Sequence, residues 1–104
     1  MLTYNQALIL AETWCRVLCG DGVQIIIDKV MKKPYGWIFF YQNTSFLASE
    51  DYHHSLAGNA PIIIDRVNGE IRVTGTSKPL SEYLADYEAT IPKARLELSL
   101  PNEP

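Results

Sequence analysis

Residues 56–76, Leu-Ala-Gly-Asn-Ala-Pro-Ile-Ile-Ile-Asp-Arg-Val-Asn-Gly-Glu-Ile-Arg-Val-Thr-Gly-Thr, hold the pattern on which the fold turns. Asn68-Gly69 lies between two runs rich in β-branched residues, and both residue types tolerate the positive φ of a type I′ turn. A hairpin is predicted, with strands near Ile62 to Val67 and Glu70 to Thr74. Pro61 fixes its start, and Gly58 and Gly75 bracket it. Asn59 is expected to satisfy turn backbone with its side chain. The structural set is then Gly36, Gly58, Asn59, Pro61, Asn68, Gly69 and Gly75. The stretch holds no nucleophile, paired acid and base, or phosphate loop.

Upstream, Thr3-Tyr4-Asn5-Gln6 matches a capping box, in which Thr3 and Gln6 each satisfy the other's backbone amide with a side chain. A helix is predicted from there. Tyr4, Ala7, Leu8, Ala11, Cys15 and Leu18 recur at three- and four-residue steps, and Leu10, Trp14 and Val17 widen the stripe into one buried face. Gly20 supplies a left-handed exit. Val23 to Met31, rich in χ1-stiff Val and Ile, reads as a first strand, broken by Lys32-Lys33-Pro34-Tyr35-Gly36.

Trp37-Ile38-Phe39-Phe40-Tyr41 is an apolar run that must be covered on both faces or shielded on one by a partner, and it reads as a central strand. Phe46 to Ala48 reads as a short strand running into the polar loop of residues 49–55. Past the hairpin, Ser77 or Lys78 precedes Pro79 in a first helical turn. Leu80, Tyr83, Leu84 and Tyr87 then give a second amphipathic helix that Pro92 limits. Leu96, Leu98 and Leu100 alternate with polar residues, a two-residue period that leaves an edge strand and a frayed end both open. The chain divides into a domain at 1–91 and a tail at 92–104.

The sum is an α+β domain: an N-terminal helix, a largely antiparallel meander of four or five strands, and a C-terminal helix against the sheet. Helices on one face would leave the other open to a partner, or to a second subunit in a homodimer. At 104 residues, 47% hydrophobic and 20% charged, the chain is long enough for one core and ordered by composition. The net charge of -3 has the wrong sign for nucleic-acid binding. No apolar segment approaches the roughly 20 residues needed to span a bilayer. A secretory signal pattern is lacking and the only cysteines are Cys15 and Cys19, so a cytoplasmic location is expected.

Three groups compete as sites. Cys15 and Cys19 at i, i+4 with His53 and His54 have the residue types of a zinc site, but cysteines in an apolar helical stripe belong to core packing, so no metal or cofactor is expected. No nucleophile accompanies the histidines, and no catalytic residue is expected. For partner binding the candidates are Trp37 and Tyr41 on one face of the aromatic strand, and the polar loop residues Glu50, Asp51, Tyr52, His53 and His54. Glu50, Asp51 and Asp65 would act chiefly on association rate.

The ordered set of Lys33-Pro34-Tyr35-Gly36 with the aromatic strand, Leu56 to Asp65, Asn68-Gly69-Glu70, Gly75-Thr76, and Pro79 through Tyr87 resembles the YrhB-like family, also called the immunity protein 35 family. The resemblance runs from Tyr4 to about Glu88. It implies a small bacterial cytoplasmic protein that binds and neutralises a cognate toxin without catalysis. Some members are treated instead as chaperone-like, which makes a module for unfolded or apolar client segments the alternative. The resemblance brings no catalytic motif with it.

Overall fold

The computed structural model describes residues 1–44 and 60–101. Helix α1 (Tyr4–Leu18) starts at the capping box, with the Thr3 amide donating to Gln6 Oε1 at 2.9 Å and the Gln6 amide donating to Thr3 Oγ1 at 3.2 Å. It ends at Gly20, whose φ of 97° takes the chain out through the left-handed region. The buried stripe is Tyr4, Ala7, Ala11 and Cys15. Ala7 and Ala11 are fully buried, and their small side chains let the helix backbone lie close to the sheet. The stripe stops short of the expected length: Val17 and Leu18, in the last turn, are 72% and 66% exposed.

The region expected as one strand from Val23 to Met31 is divided. Strand β1 (Val23–Ile25) and strand β2 (Met31–Lys33) flank a 3-10 turn at Ile27–Lys29. Both pair antiparallel with one continuous partner path, strands β3 (Gly36–Phe39) and β4 (Tyr41–Asn43). Val23 faces Asn43 whereas Met31 faces Ile38, so the register slips by three residues between the halves. The 3-10 turn absorbs those residues and places Ile27, Asp28 and Lys29 outside. Stiff β-branched side chains favour a pleated surface, but they do not fix where the ladder must be interrupted.

Strands β5 (Ile62–Asp65) and β6 (Ile71–Val73) complete a four-stranded antiparallel sheet in the order β2-β3-β5-β6, while β1 and β4 form a two-stranded extension. Every residue of β3 and β5 is buried. On one face α1 packs over Trp37, Phe39, Tyr41, Ile62 and Ile64. Helix α2 (Leu80–Glu88) brings Leu84 and Tyr87 to the other face, against Tyr35, Ile38 and Ile63. The two helices therefore lie on opposite faces, and the open sheet face expected from sequence does not exist over β3 and β5. Strand alternation decides this, since Trp37 and Ile38, like Ile62 and Ile63, are apolar in both directions and each set needs its own cover.

Pro79 stands one place earlier than expected, as the extended residue just before α2 rather than inside its first turn. The tail at 92–104 forms no edge strand among its described residues. Lys93–Leu96 is a short helical turn, α3, preceded by Pro92. Leu96 packs against the second cluster and Arg95 reaches a buried carboxylate, contacts that outweigh the alternating leucines.

Candidate functional site

The N-terminus, the hairpin turn and the C-terminal tail meet at one end of the molecule, and the turn organises the meeting. Asp65 closes β5 and is fully buried. Its Oδ1 accepts the amides of Val67 at 2.8 Å and Asn68 at 3.3 Å, and its carbonyl accepts the amide of Gly69 at 2.9 Å. The Asp65 amide in turn donates to the Glu70 carbonyl at 2.9 Å. Residues 66–69 therefore form a four-residue loop, wider than the tight reversal expected over Asn68-Gly69 alone. The carboxylate causes the widening, because it supplies acceptors that a two-residue turn would leave unused. Gly69 takes a φ of 75°, and Asn68 Oδ1 accepts the Glu70 amide at 2.9 Å.

Asp65 Oδ2 faces the second sheet surface. It accepts the Tyr87 hydroxyl of α2 at 2.9 Å and Arg95 Nη1 of α3 at 3.0 Å. Tyr87 also donates toward Glu70 Oε1 at 3.2 Å, Arg72 pairs with Glu70 at 3.0 Å, and the Arg72 guanidinium lies 5.3 Å from the centre of the Tyr87 ring. Beside this group, Tyr35 donates to Glu88 Oε2 at 2.9 Å. Burial, reinforced by the acceptor carboxylates, pushes both tyrosine hydroxyls well above the usual phenol range. The network joins β5, β6, α2 and α3 with charge-assisted bonds, and its members are tied to one another rather than aimed at an open cleft.

On the α1 side of the same turn lies a cavity of about 270 Å³, lined by Met1, Leu2, Thr3, Tyr4, Trp37 and Arg66, with Pro101 at its rim. The Leu2 amide donates to the Arg66 carbonyl at 2.6 Å, and the Arg66 side chain bonds Met1 Sδ at 3.3 Å and the Ser99 carbonyl at 2.8 Å. Arg66 thus staples both chain ends to the turn. The cavity has aromatic and apolar walls and one guanidinium, a composition suited to receiving a side chain of a protein partner. Around it Met1, Val67 and Leu100 are exposed apolar residues. Among the described lining residues there is no nucleophile paired with a base.

The sequence candidates fall in three places. Trp37 and Tyr41 are in the core under α1, 1% and 7% exposed, with Tyr4 edge-on to Trp37 and Trp14 edge-on to Tyr41. Trp37 also reaches the cavity wall. Glu50, Asp51, Tyr52, His53 and His54 lie outside the described residues, as do Gly58, Asn59 and the strand expected from Phe46 to Ala48. Asp65, expected to steer association from the surface, is instead a buried hub. Cys15 is buried and its thiol is pushed up to about 12, chiefly by burial, while Cys19 is half-buried. Among the described residues no cluster of ligands suits a metal ion, and no helix is long and apolar enough to cross a membrane.

Of the structural positions, Gly36 has a φ of 153° and no room for a side chain, since a Cβ would lie 2.0 Å from the Ile64 carbonyl oxygen. A Cβ at Gly75 would meet the Tyr83 hydroxyl, which also bonds Ser77. The Pro61 carbonyl accepts both the amide and the hydroxyl of Thr74. Sequence reasoning named Asp65 only as a surface charge, and it missed Arg66 and Arg95. For Asp65 a signal was present, an aspartate three residues before Asn-Gly at a strand end; for Arg66 and Arg95 the partners are distant in sequence and left no local trace.

Comparison with known proteins places the chain in a family. No solved structure matches the chain. A protein of Escherichia coli strain K12, the uncharacterized protein YrhB, is 41% identical over 88 residues, covering 85% of this chain and 90% of that relative. The family model for immunity protein 35 matches residues 5–87, from the first turn of α1 to Tyr87 beside Asp65, and the chain belongs to that family.

Proposed function

We propose that this protein is a non-catalytic immunity protein, acting in the bacterial cytoplasm by binding a cognate toxin and occluding its working surface. The family match over residues 5–87 carries this reading. Stoichiometric occlusion needs a rigid scaffold with exposed loops and edges, and a sheet covered on both faces supports such a role. Contact then falls to loops and margins. The two regions proposed are the acidic and aromatic segment Glu50, Asp51, Tyr52, His53 and His54, and the end where Arg66 joins the chain termini.

The deciding experiment co-expresses this chain with a candidate toxin taken from the coding sequence next to its own. Restored growth, with a one-to-one complex recovered by co-purification, is the expected result. Failure to protect against that toxin, together with weak binding to many unfolded clients, would replace immunity by the chaperone-like reading. Turnover of a substrate abolished by one polar substitution would replace both.

A further inference from the structure

The four-stranded sheet has two edges that are built differently. Strand β2 carries Lys32 and Lys33 and is followed by Pro34, the charged and donor-free residues that discourage another strand from pairing. Strand β6 carries no lysine and no proline, and its one charged residue, Arg72, is paired with Glu70. Its sequence is Ile71-Arg72-Val73, preceded by Glu70 and followed by Thr74.

The hydrogen-bond pattern fixes which backbone groups of β6 face outward. The Asp65 amide donates to the Glu70 carbonyl and the Thr74 amide to the Pro61 carbonyl, while Ile62 faces Val73, Ile63 faces Arg72 and Ile64 faces Ile71. Antiparallel alternation therefore turns residues 70, 72 and 74 toward β5 and turns the N–H and C=O of Ile71 and Val73 away from it. Among the described residues no other strand lies along that edge. Val73 is 47% exposed.

We propose that β6 is the contact edge of a homodimer, two copies pairing antiparallel about a two-fold axis at Ile71. Charge complementarity selects a second copy as the occupant. In that register Ile71 exchanges both backbone hydrogen bonds with Ile71 of the second copy. Glu70 then stands opposite Arg72 of the second copy, and Arg72 opposite its Glu70. These become non-hydrogen-bonded pairs, the closer of the two cross-strand arrangements for side chains. Glu70 and Arg72 already project on one face of β6, where they pair at 3.0 Å and are 40% and 47% exposed. A carboxylate and a guanidinium placed symmetrically about the central residue match the same strand run in reverse, so the intrastrand pair of each copy is joined by two cross-strand pairs. The edge is short, so the dimer is a weak one, with a Kd in the range of about 10 to 100 μM.

Sedimentation velocity on the full chain across this range tests the proposal. Wild type shifts from monomer to dimer as concentration rises. Glu70→Arg leaves two arginines facing two arginines, and Arg72→Glu leaves four carboxylates together, so each weakens dimerisation about tenfold or more. Mixing the two variants in equal amounts restores a dimer, because each now presents the charges the other needs. Val73→Pro removes an outward N–H that no strand of the sheet uses and also abolishes the dimer, with thermal melting run on every variant to establish folding. A wild type that stays monomeric at about 100 μM overturns the proposal. So does a dimer that survives Val73→Pro, or a mixture of folded charge variants that remains monomeric. If the free protein is a monomer and Val73→Pro instead abolishes toxin capture, the edge takes a strand of the toxin and the second-copy assignment is wrong.

Discussion

The hydroxyl of Tyr87 donates to Oδ2 of Asp65 at 2.9 Å, so one bond joins the C-terminal helix to the residue that shapes the hairpin turn. Asp65 also holds Arg95 and two turn amides, and it is fully buried. Replacing it by alanine removes the carboxylate from four donors, all of them in partly or fully buried bonds. Asp65→Ala is expected to destabilise the fold by about 3 to 5 kcal/mol, near the cost of breaking a buried ion pair. Tyr87→Phe removes one hydroxyl and costs about 1 to 2 kcal/mol. Urea unfolding of the two single variants and the double variant measures the coupling, expected at about 1 kcal/mol or more. Strict additivity would mean that Asp65 and Tyr87 do not act as a unit.

That hub also shows what was legible in the sequence. The hairpin, the capped helix and the aromatic strand all followed from short-range signals: Asn68-Gly69, Thr3 with Gln6, and the run from Trp37 to Tyr41. The opposite placement of the helices was half visible, since Ile62-Ile63-Ile64 is apolar on both faces and demands two covers. What stayed hidden depends on contacts between distant segments. Arg95 finds Asp65 across 30 positions, and Arg66 binds the carbonyl of Ser99 across 33. The alternation of Leu96, Leu98 and Leu100 left an edge strand and a frayed end both open, whereas Pro92 and the Arg95 ion pair favour a helical turn at Lys93–Leu96. The 3-10 turn at Ile27–Lys29 escaped because its interrupted register is a property of strand pairing, invisible in Ile25-Ile26-Ile27 read alone. Among the partner-binding candidates the sequence named aromatic residues by type, and type could not tell a buried Trp37 from an exposed one.

Gly36 is the position least able to change. Its φ of 153° lies outside the range comfortable for other residues, and an added Cβ would overlap the Ile64 carbonyl oxygen, which is backbone and cannot swing aside. Gly36→Ala must therefore push β3 away from β5 in the middle of the sheet. The expected loss is about 3 kcal/mol or more, combining strain with broken ladder bonds. Soluble yield and thermal melting report it. Gly22→Ala, where no atom of the described residues lies within 4 Å of an added Cβ and no positive φ is needed, serves as the control and should change little.

Tyr4 offers the opposite case. Its ring stacks on Phe39 with centroids 6.2 Å apart and meets Trp37 edge-on, while its hydroxyl is buried without a hydrogen-bond partner among the described residues. The ring contributes packing and the hydroxyl only a desolvation cost. Tyr4→Phe is therefore expected to raise stability by about 1 kcal/mol, in contrast to Tyr87→Phe. A matched pair of urea titrations decides it, and a clear loss of stability in Tyr4→Phe would show that the hydroxyl has an acceptor.

Alkaline pH should unfold this protein ahead of any acid effect from the same groups. Burial raises the Cys15 thiol from its ordinary value of 9.0 to about 12, and it raises the Tyr35 and Tyr87 hydroxyls well above 10.0. In the unfolded chain the thiol ionises near pH 9 and the phenols near pH 10, while in the folded chain all three keep their protons to higher pH. Above pH 9 the folded state therefore binds more protons, and its stability falls as pH rises. The contribution is fully present below about pH 9 and fades through the folded values, at no more than about 1.4 kcal/mol per pH unit for each group. Unfolding free energies measured between about pH 8 and about pH 11 should decline in two stages, first from the thiol and then more steeply from the phenols. Cys15→Ala should delay the onset of the decline toward pH 10, and Tyr87→Phe should flatten its steeper part. A profile that is level or rising across this range would remove the linkage between these buried groups and the fold.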